Sequence, residues 1–199
     1  MGEISRTSTR TQPVAIRTER LLLRPFTAGD LDGLQAAVWG DPLVTEYLPG
    51  GQPRPLDRTQ LIVNHFVTCW ERPTETAWAV TLPESGRLIG ECGMSILPDP
   101  TQGVEIFYAL AVDCWGRGYA TELGRALLRF GFETFGLDRL WAIAVPDNTA
   151  SRRVMEKLGM TYDGLFPYDD RFDENLAFYS LARAAFDPGG HPYAVIYSE

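Results

Sequence analysis

Hydrophobic residues recur along this chain with two spacings, one of period two and one of period 3.6, and the changes between them mark its elements. Ile16 to Phe26 reads as a first strand: Leu21 and Leu23 alternate with Leu22 and Arg24, and Pro25 closes it. Asp30 is placed to cap a short helix, Leu31 to Trp39. Asp57 is placed to cap a second, whose Leu61, Ile62, His65, Phe66 and Cys69 follow helical spacing. The stretch from Pro49 to Pro55 between them is a loop by composition. Thr76 to Leu82 and Leu88 to Leu97 form a hairpin about the turn Pro83 to Gly86, and the turn Pro98 to Gly103 leads into a strand from Val104 to Val112. A glycine loop, Trp115 to Gly118, opens an amphipathic helix over Ala120 to Phe135, which Gly136 stops. A strand from Leu140 to Val145, a helix from Ser151 to Leu158 closed by Gly159, and strands at Thr161 to Gly164 and Leu176 to Leu181 complete the pattern. Pro167 to Asn175 is a polar, acidic stretch. Apolar Tyr193 to Tyr197 either adds a strand or packs on a partner.

With 199 residues, the chain suits one domain. We expect a polar tail over 1–15, a domain over 16–185 and an extension over 186–199. The net charge of -8 argues against nucleic acid as a partner, and no apolar run approaches a membrane span. Cys69, Cys92 and Cys114 are odd in number and widely spaced, so a disulfide framework is not expected; reduced, partly buried thiols in the cytoplasm are. His65 and His191 are too scattered for a histidine-rich metal site.

The chemistry concentrates at Val112 to Thr121, where Gly116 and Gly118 join a strand to the long helix. Such a turn presents backbone N–H groups at the positive end of a helix, an anion site. Glycines let the backbone approach a phosphate closely, Thr121 adds a hydroxyl and Arg117 a charge. A Walker loop needs a lysine after its glycines, and none follows here. The dinucleotide fingerprint needs glycine or alanine where Thr121 stands. A coenzyme A diphosphate turn and a plain strand-to-helix turn both stay open on this spacing.

A second block bears on the choice. Glu105-Ile106-Phe107-Tyr108, then Trp115 to Glu122 with Gly116, Gly118, Tyr119, Ala120 and Thr121, then Asn148 through Ser151 to Glu156-Lys157-Leu158-Gly159 follow in order. In these blocks the chain resembles the GNAT superfamily of N-acetyltransferases, and within it the branch that includes ribosomal-protein N-terminal acetyltransferases. The resemblance extends from about Ile16 to Arg183. It implies a mixed α/β (α+β) fold: a mostly antiparallel sheet of six to seven strands, a V-shaped splay between two of them, and helices on both faces. It also implies acetyl-coenzyme A as co-substrate, no metal, and direct transfer of the acetyl group to a small amine or a protein N-terminus, by a monomer or homodimer. Backbone groups from Tyr108 to Leu110 would pair with the pantetheine arm. Amides from Gly116 through Arg117, Gly118, Tyr119 and Ala120 to Thr121 would hold the diphosphate. Asn148 would hydrogen-bond the arm, against its plain reading as a helix cap.

The pattern also departs from the family. Met155 stands where many relatives place a tyrosine acid, and a thioether donates no proton. Ser151, or a tyrosine from elsewhere, is the candidate acid in its place. Ile143-Ala144-Val145 carries no base. An amine arrives as ammonium and must lose a proton before it attacks, and a carboxylate, often through water, can take it. Glu105 is the candidate base, against its plain reading as an exposed strand residue. The helices between Leu31 and Cys69, with Trp39, Glu46, Tyr47 and Trp70, are expected to line the acceptor pocket. The rival function is a non-catalytic coenzyme A-binding sensor or scaffold.

Overall fold

The computed structural model describes residues 13–71, 74–98, 103–169, 172 and 175–197. Nine strands form a single sheet in the order β7-β8-β6-β5-β4-β3-β2-β1-β9. They are β1 Pro13–Thr18, β2 Leu22–Pro25, β3 Thr76–Thr81, β4 Leu88–Ile96, β5 Val104–Leu110, β6 Arg139–Ala144, β7 Thr161–Phe166, β8 Leu176–Ala182 and β9 Tyr193–Tyr197. The sheet exceeds the expected six to seven strands at two places. The expected first strand is a hairpin, β1–β2, and Tyr193–Tyr197 pairs antiparallel with β1 as an edge strand. The hairpin turn contains no glycine, proline or asparagine. It is made by Thr18, whose hydroxyl both donates to the Leu21 carbonyl and accepts from the Leu21 amide.

Every neighbouring pair of strands is antiparallel except β5–β6. That parallel pair touches at one register point, Glu105 opposite Trp141, and then parts. Past this point the β5 backbone has β4 on one side and no ladder partner on the other. This is the splay expected from the resemblance, and it opens the sheet where the site lies.

Helices cover both faces. On one lie α1 Leu31–Leu34, continued by a π-helical turn Gln35–Trp39, then α2 Pro42–Thr45 and α3 Leu56–Thr68; on the other lie α4 Tyr119–Glu133 and α5 Thr149–Lys157. The core runs between them, with Trp78, Phe130, Phe132, Leu34 and Val63 almost wholly buried. Three capping details differ from expectation. Asp30 reaches back to the Thr27 amide and hydroxyl and pairs with Arg24, rather than capping α1 through its side chain. Asp57 lies inside the first turn of α3, whose cap is Pro55. Helix α2 was not expected: Asp41 caps it by accepting from the Leu43 amide, with Pro42 as its first residue.

Candidate active site

A cleft of about 1060 Å³ runs through the β5–β6 opening from one face of the sheet to the other. Of the residues singled out in the sequence, Glu105, Tyr108, Leu110, Gly116, Gly118, Tyr119, Ala120, Thr121, Asn148 and Ser151 line it. Arg117 does not: its side chain is exposed and only its backbone takes part in the turn.

The glycine turn forms as its residues dictate. Gly116 has φ 72° and Gly118 φ 81°, left-handed values that strain other residues. Gly118 is the N-cap of α4. Among the described residues no acceptor is found for the N–H groups from Gly116 to Thr121, and the next amide, Glu122, is the first to bond back, to the Gly118 carbonyl. The turn is braced from two sides. The Trp115 indole donates to the Leu110 carbonyl at 2.7 Å. Arg20, in the β1–β2 turn, donates to the Arg117 carbonyl, pairs with Glu122 at 2.6 Å and lies 4.7 Å over the Tyr119 ring. Glu122 also accepts from Thr18 Oγ1 and the Arg20 amide. The hairpin that the sequence conceals thus holds the turn.

Strand alternation sorts the remaining groups by face. Tyr108 lies opposite Cys92 on the α4 face, where its hydroxyl sits 3.1 Å from Ser151 Oγ of α5. Burial pushes the Tyr108 phenol up to about 12, so it stays protonated. Asn148 caps α5, its Oδ1 accepting from the Ser151 amide at 3.0 Å, so the plain reading of this residue is realised. Its amide nitrogen has no hydrogen-bond partner among the described residues, and the residue lines the cleft.

Glu105 lies on the opposite face, opposite Ser95. It is only 7% exposed, so it is not the exposed strand residue of the plain reading. Its carboxylate accepts from Ser95 Oγ at 2.8 Å and from the Tyr168 hydroxyl at 2.5 Å. Phe107 and Ala109 continue this face along β5. Gly93 opposite Phe107 leaves room for the ring, since a Cβ there would lie 2.6 Å from it.

Sequence reasoning missed a second carboxylate. Glu91 of β4 lies between Ala79 and Ala109 on the Glu105 face, is 4% exposed, and lines the cleft. Burial is the largest influence on its pKa and raises it to about 7. The Trp39 indole, which donates to Oε2 at 2.9 Å, and the charge of Arg54 oppose the rise. The available signal was a lone glutamate inside the apolar run Leu88–Leu97. On the acceptor side Trp39 and Tyr47 line the cleft as expected, with Phe66 and Arg54 beside them. Glu46 is exposed elsewhere, and Trp70 packs edge-on to Trp78, ring centroids 5.0 Å apart. All three cysteines are buried, and none forms a disulfide. Burial raises the thiols of both Cys92 and Cys114, the wrong direction for a nucleophile.

Comparison with known proteins gives the same outline. The model of the acetyltransferase (GNAT) domain matches residues 20–161. The uncharacterised N-acetyltransferase YnaD of Bacillus subtilis is 30% identical over 152 residues, 76% of this chain and 85% of that protein. Its counterpart YoaA from the same organism is 27% identical over 150 residues, 75% of this chain and 84% of that one. The crystal structure of a GNAT-family acetyltransferase from Bacillus anthracis superposes with a TM-score of 0.73 at 27% identity, covering 86% of this chain and 99% of that one.

Proposed function

Because the chain belongs to the GNAT family of N-acetyltransferases, we propose that it transfers an acetyl group from acetyl-coenzyme A to a primary amine by direct transfer. One observation carries this reading: a single cleft joins the glycine-turn amides, which have no acceptor among the described residues, to a buried carboxylate on the far face of the sheet. The residues suit the cofactor. The N–H groups from Gly116 to Thr121 would hold its diphosphate. The unpaired edge of β5 from Tyr108 to Leu110 would pair with its pantetheine arm, and the Asn148 amide nitrogen would donate to that arm. When bound, the cofactor supplies the thioester: an N–C bond forms, the C–S bond breaks, and ammonium plus thioester become amide, thiol and one proton.

The protein's own groups divide the proton transfers between the faces. Glu105 takes one proton from the ammonium on the acceptor face, directly or through water. A backbone amide near Leu110 donates to the acetyl oxygen as charge develops there. Ser151 returns a proton to the departing sulfur, oriented by the Tyr108 hydroxyl 3.1 Å away, and solvent, which takes the second proton that the nitrogen sheds as the amide forms, replaces it. No step uses a cysteine.

The test is thiol release from acetyl-coenzyme A across a panel of primary amines, comparing the native chain with Glu105→Gln. We expect turnover to fall about a hundredfold, with coenzyme A affinity unchanged by calorimetry. The remaining rate should climb at alkaline pH, where the amine loses its proton unaided. A variant with native rate and pH profile removes Glu105 from the role of base. Coenzyme A binding without thiol release from any amine establishes the sensor or scaffold reading instead.

A further inference from the structure

Glu91 has no part in the reaction set out above, yet its surroundings are those of a binding group. The continuous β4–β5 register places it directly across from Ala109, beside the stretch of β5 that faces the cofactor arm in the proposed mode. Ser95 and Glu105 are four residues further along their strands, so the Glu91 and Glu105 positions share one face, their backbones about 14 Å apart. Phe107 lies between them, with the Phe66 ring stacked at 6.1 Å.

The two oxygens of Glu91 differ. Oε2 accepts from the Trp39 indole. Oε1 has no hydrogen-bond partner among the described residues, and it is not among the fully occluded polar atoms that lack one. It is therefore presented to the cleft. Burying a carboxylate with one oxygen unsatisfied is costly, and a cation that completes its bonding recovers part of that cost.

We propose that Glu91 is the recognition carboxylate for the acceptor's ammonium, and that the acceptor is a primary alkylamine whose apolar body lies against Phe66 and Phe107. This rests on the acetyltransferase reading of the same cleft. Glu91 holds the amine, and its proton reaches Glu105 through water along the cleft that both carboxylates line. Few charges face Glu91. Arg54, from the loop before α3, lies 4.7 Å over the Trp39 ring and donates to the Pro49 carbonyl. Ala79 and Ala109 flank it on β3 and β5, and its strand neighbour Cys92 is a protonated thiol. Arg58 and His65 of α3 and Glu105 of β5 line the same cleft. A carboxyl that titrates at about 7 is mostly neutral at pH 6 and mostly ionised at pH 8, so amine binding should follow that step.

The experiment measures binding of n-hexylamine to the complex of the protein with coenzyme A by calorimetry, with n-hexanol as the neutral isostere. Native protein should bind the amine roughly tenfold more tightly at pH 8 than at pH 6, the ratio of ionised Glu91, and should not bind the alcohol measurably. Glu91→Gln keeps an acceptor for the Trp39 indole. It should weaken amine binding at pH 8 at least tenfold and abolish the pH step. Glu91→Asp keeps the charge and should retain the step. In turnover Glu91→Gln should raise KM, whereas Glu105→Gln should lower kcat. Equal binding of hexylamine to native protein and Glu91→Gln overturns the proposal, as does no binding to either. Because binding is read without turnover, these outcomes are separate from a failure of acetyl transfer itself.

Discussion

Replacing Glu91 with glutamine should make the protein more stable at neutral pH and leave it nearly unchanged in acid. The side chain is buried but for its edge on the cleft, and this burial raises its pKa from the ordinary 4.5 to about 7. For a group whose folded value is raised, its stabilising contribution is complete below the unfolded value and is lost as pH rises toward the folded one. Lifting a carboxyl from 4.5 to about 7 corresponds to about 3 kcal/mol, lost across that interval. Between pH 5 and 8 the loss is about 2.5 kcal/mol, or roughly 5 to 10 °C in melting temperature for a chain of this size. Glutamine matches the neutral acid in shape and does not titrate. The melting temperatures of native protein and Glu91→Gln should therefore lie close at pH 5 and diverge by that amount at pH 8, the variant above. The assay is a pair of calorimetric melts across this range in matched ionic strength. Two curves that stay parallel would refute the reasoning, because they would mean that Glu91 titrates alike in the folded and unfolded chain.

At the glycine turn, Gly118→Asp places a side chain on a backbone at φ 81° and a negative charge where the proposed diphosphate would lie. Coenzyme A affinity measured by calorimetry should fall more than tenfold, about 1.4 kcal/mol or more, and unchanged affinity in a folded variant would remove the turn from the site. Asn148→Asp keeps the cap to the Ser151 amide but removes the amide donor. Its helix content by circular dichroism should hold while coenzyme A affinity drops; if both survive, Asn148 is a cap and nothing more.

Local pattern alone located most of the elements, because their determinants are local. The apolar spacing of Leu123, Leu127 and Leu128 makes α4 whatever it packs on, and Gly116 and Gly118 form the turn through their own φ angles. The family blocks are contiguous, so they too could be read in line. What stayed hidden depends on residues far apart in the chain. The break between β1 and β2 falls in Glu19-Arg20, which carries no turn signature; Glu122, 102 positions from Arg20, holds it. The hydrogen-bonded pair of Tyr108 and Ser151 joins a strand to a helix 43 positions on. Glu91 was invisible for the same reason. A glutamate in a strand reads as solvent-facing until Trp39, 52 positions away, covers it, and only the enclosure raises its pKa toward neutrality. The sequence by itself determined the elements, the glycine turn and the family. The tertiary structure decided which carboxylates are enclosed and what each faces, since burial and charge are set by neighbours that only folding brings together.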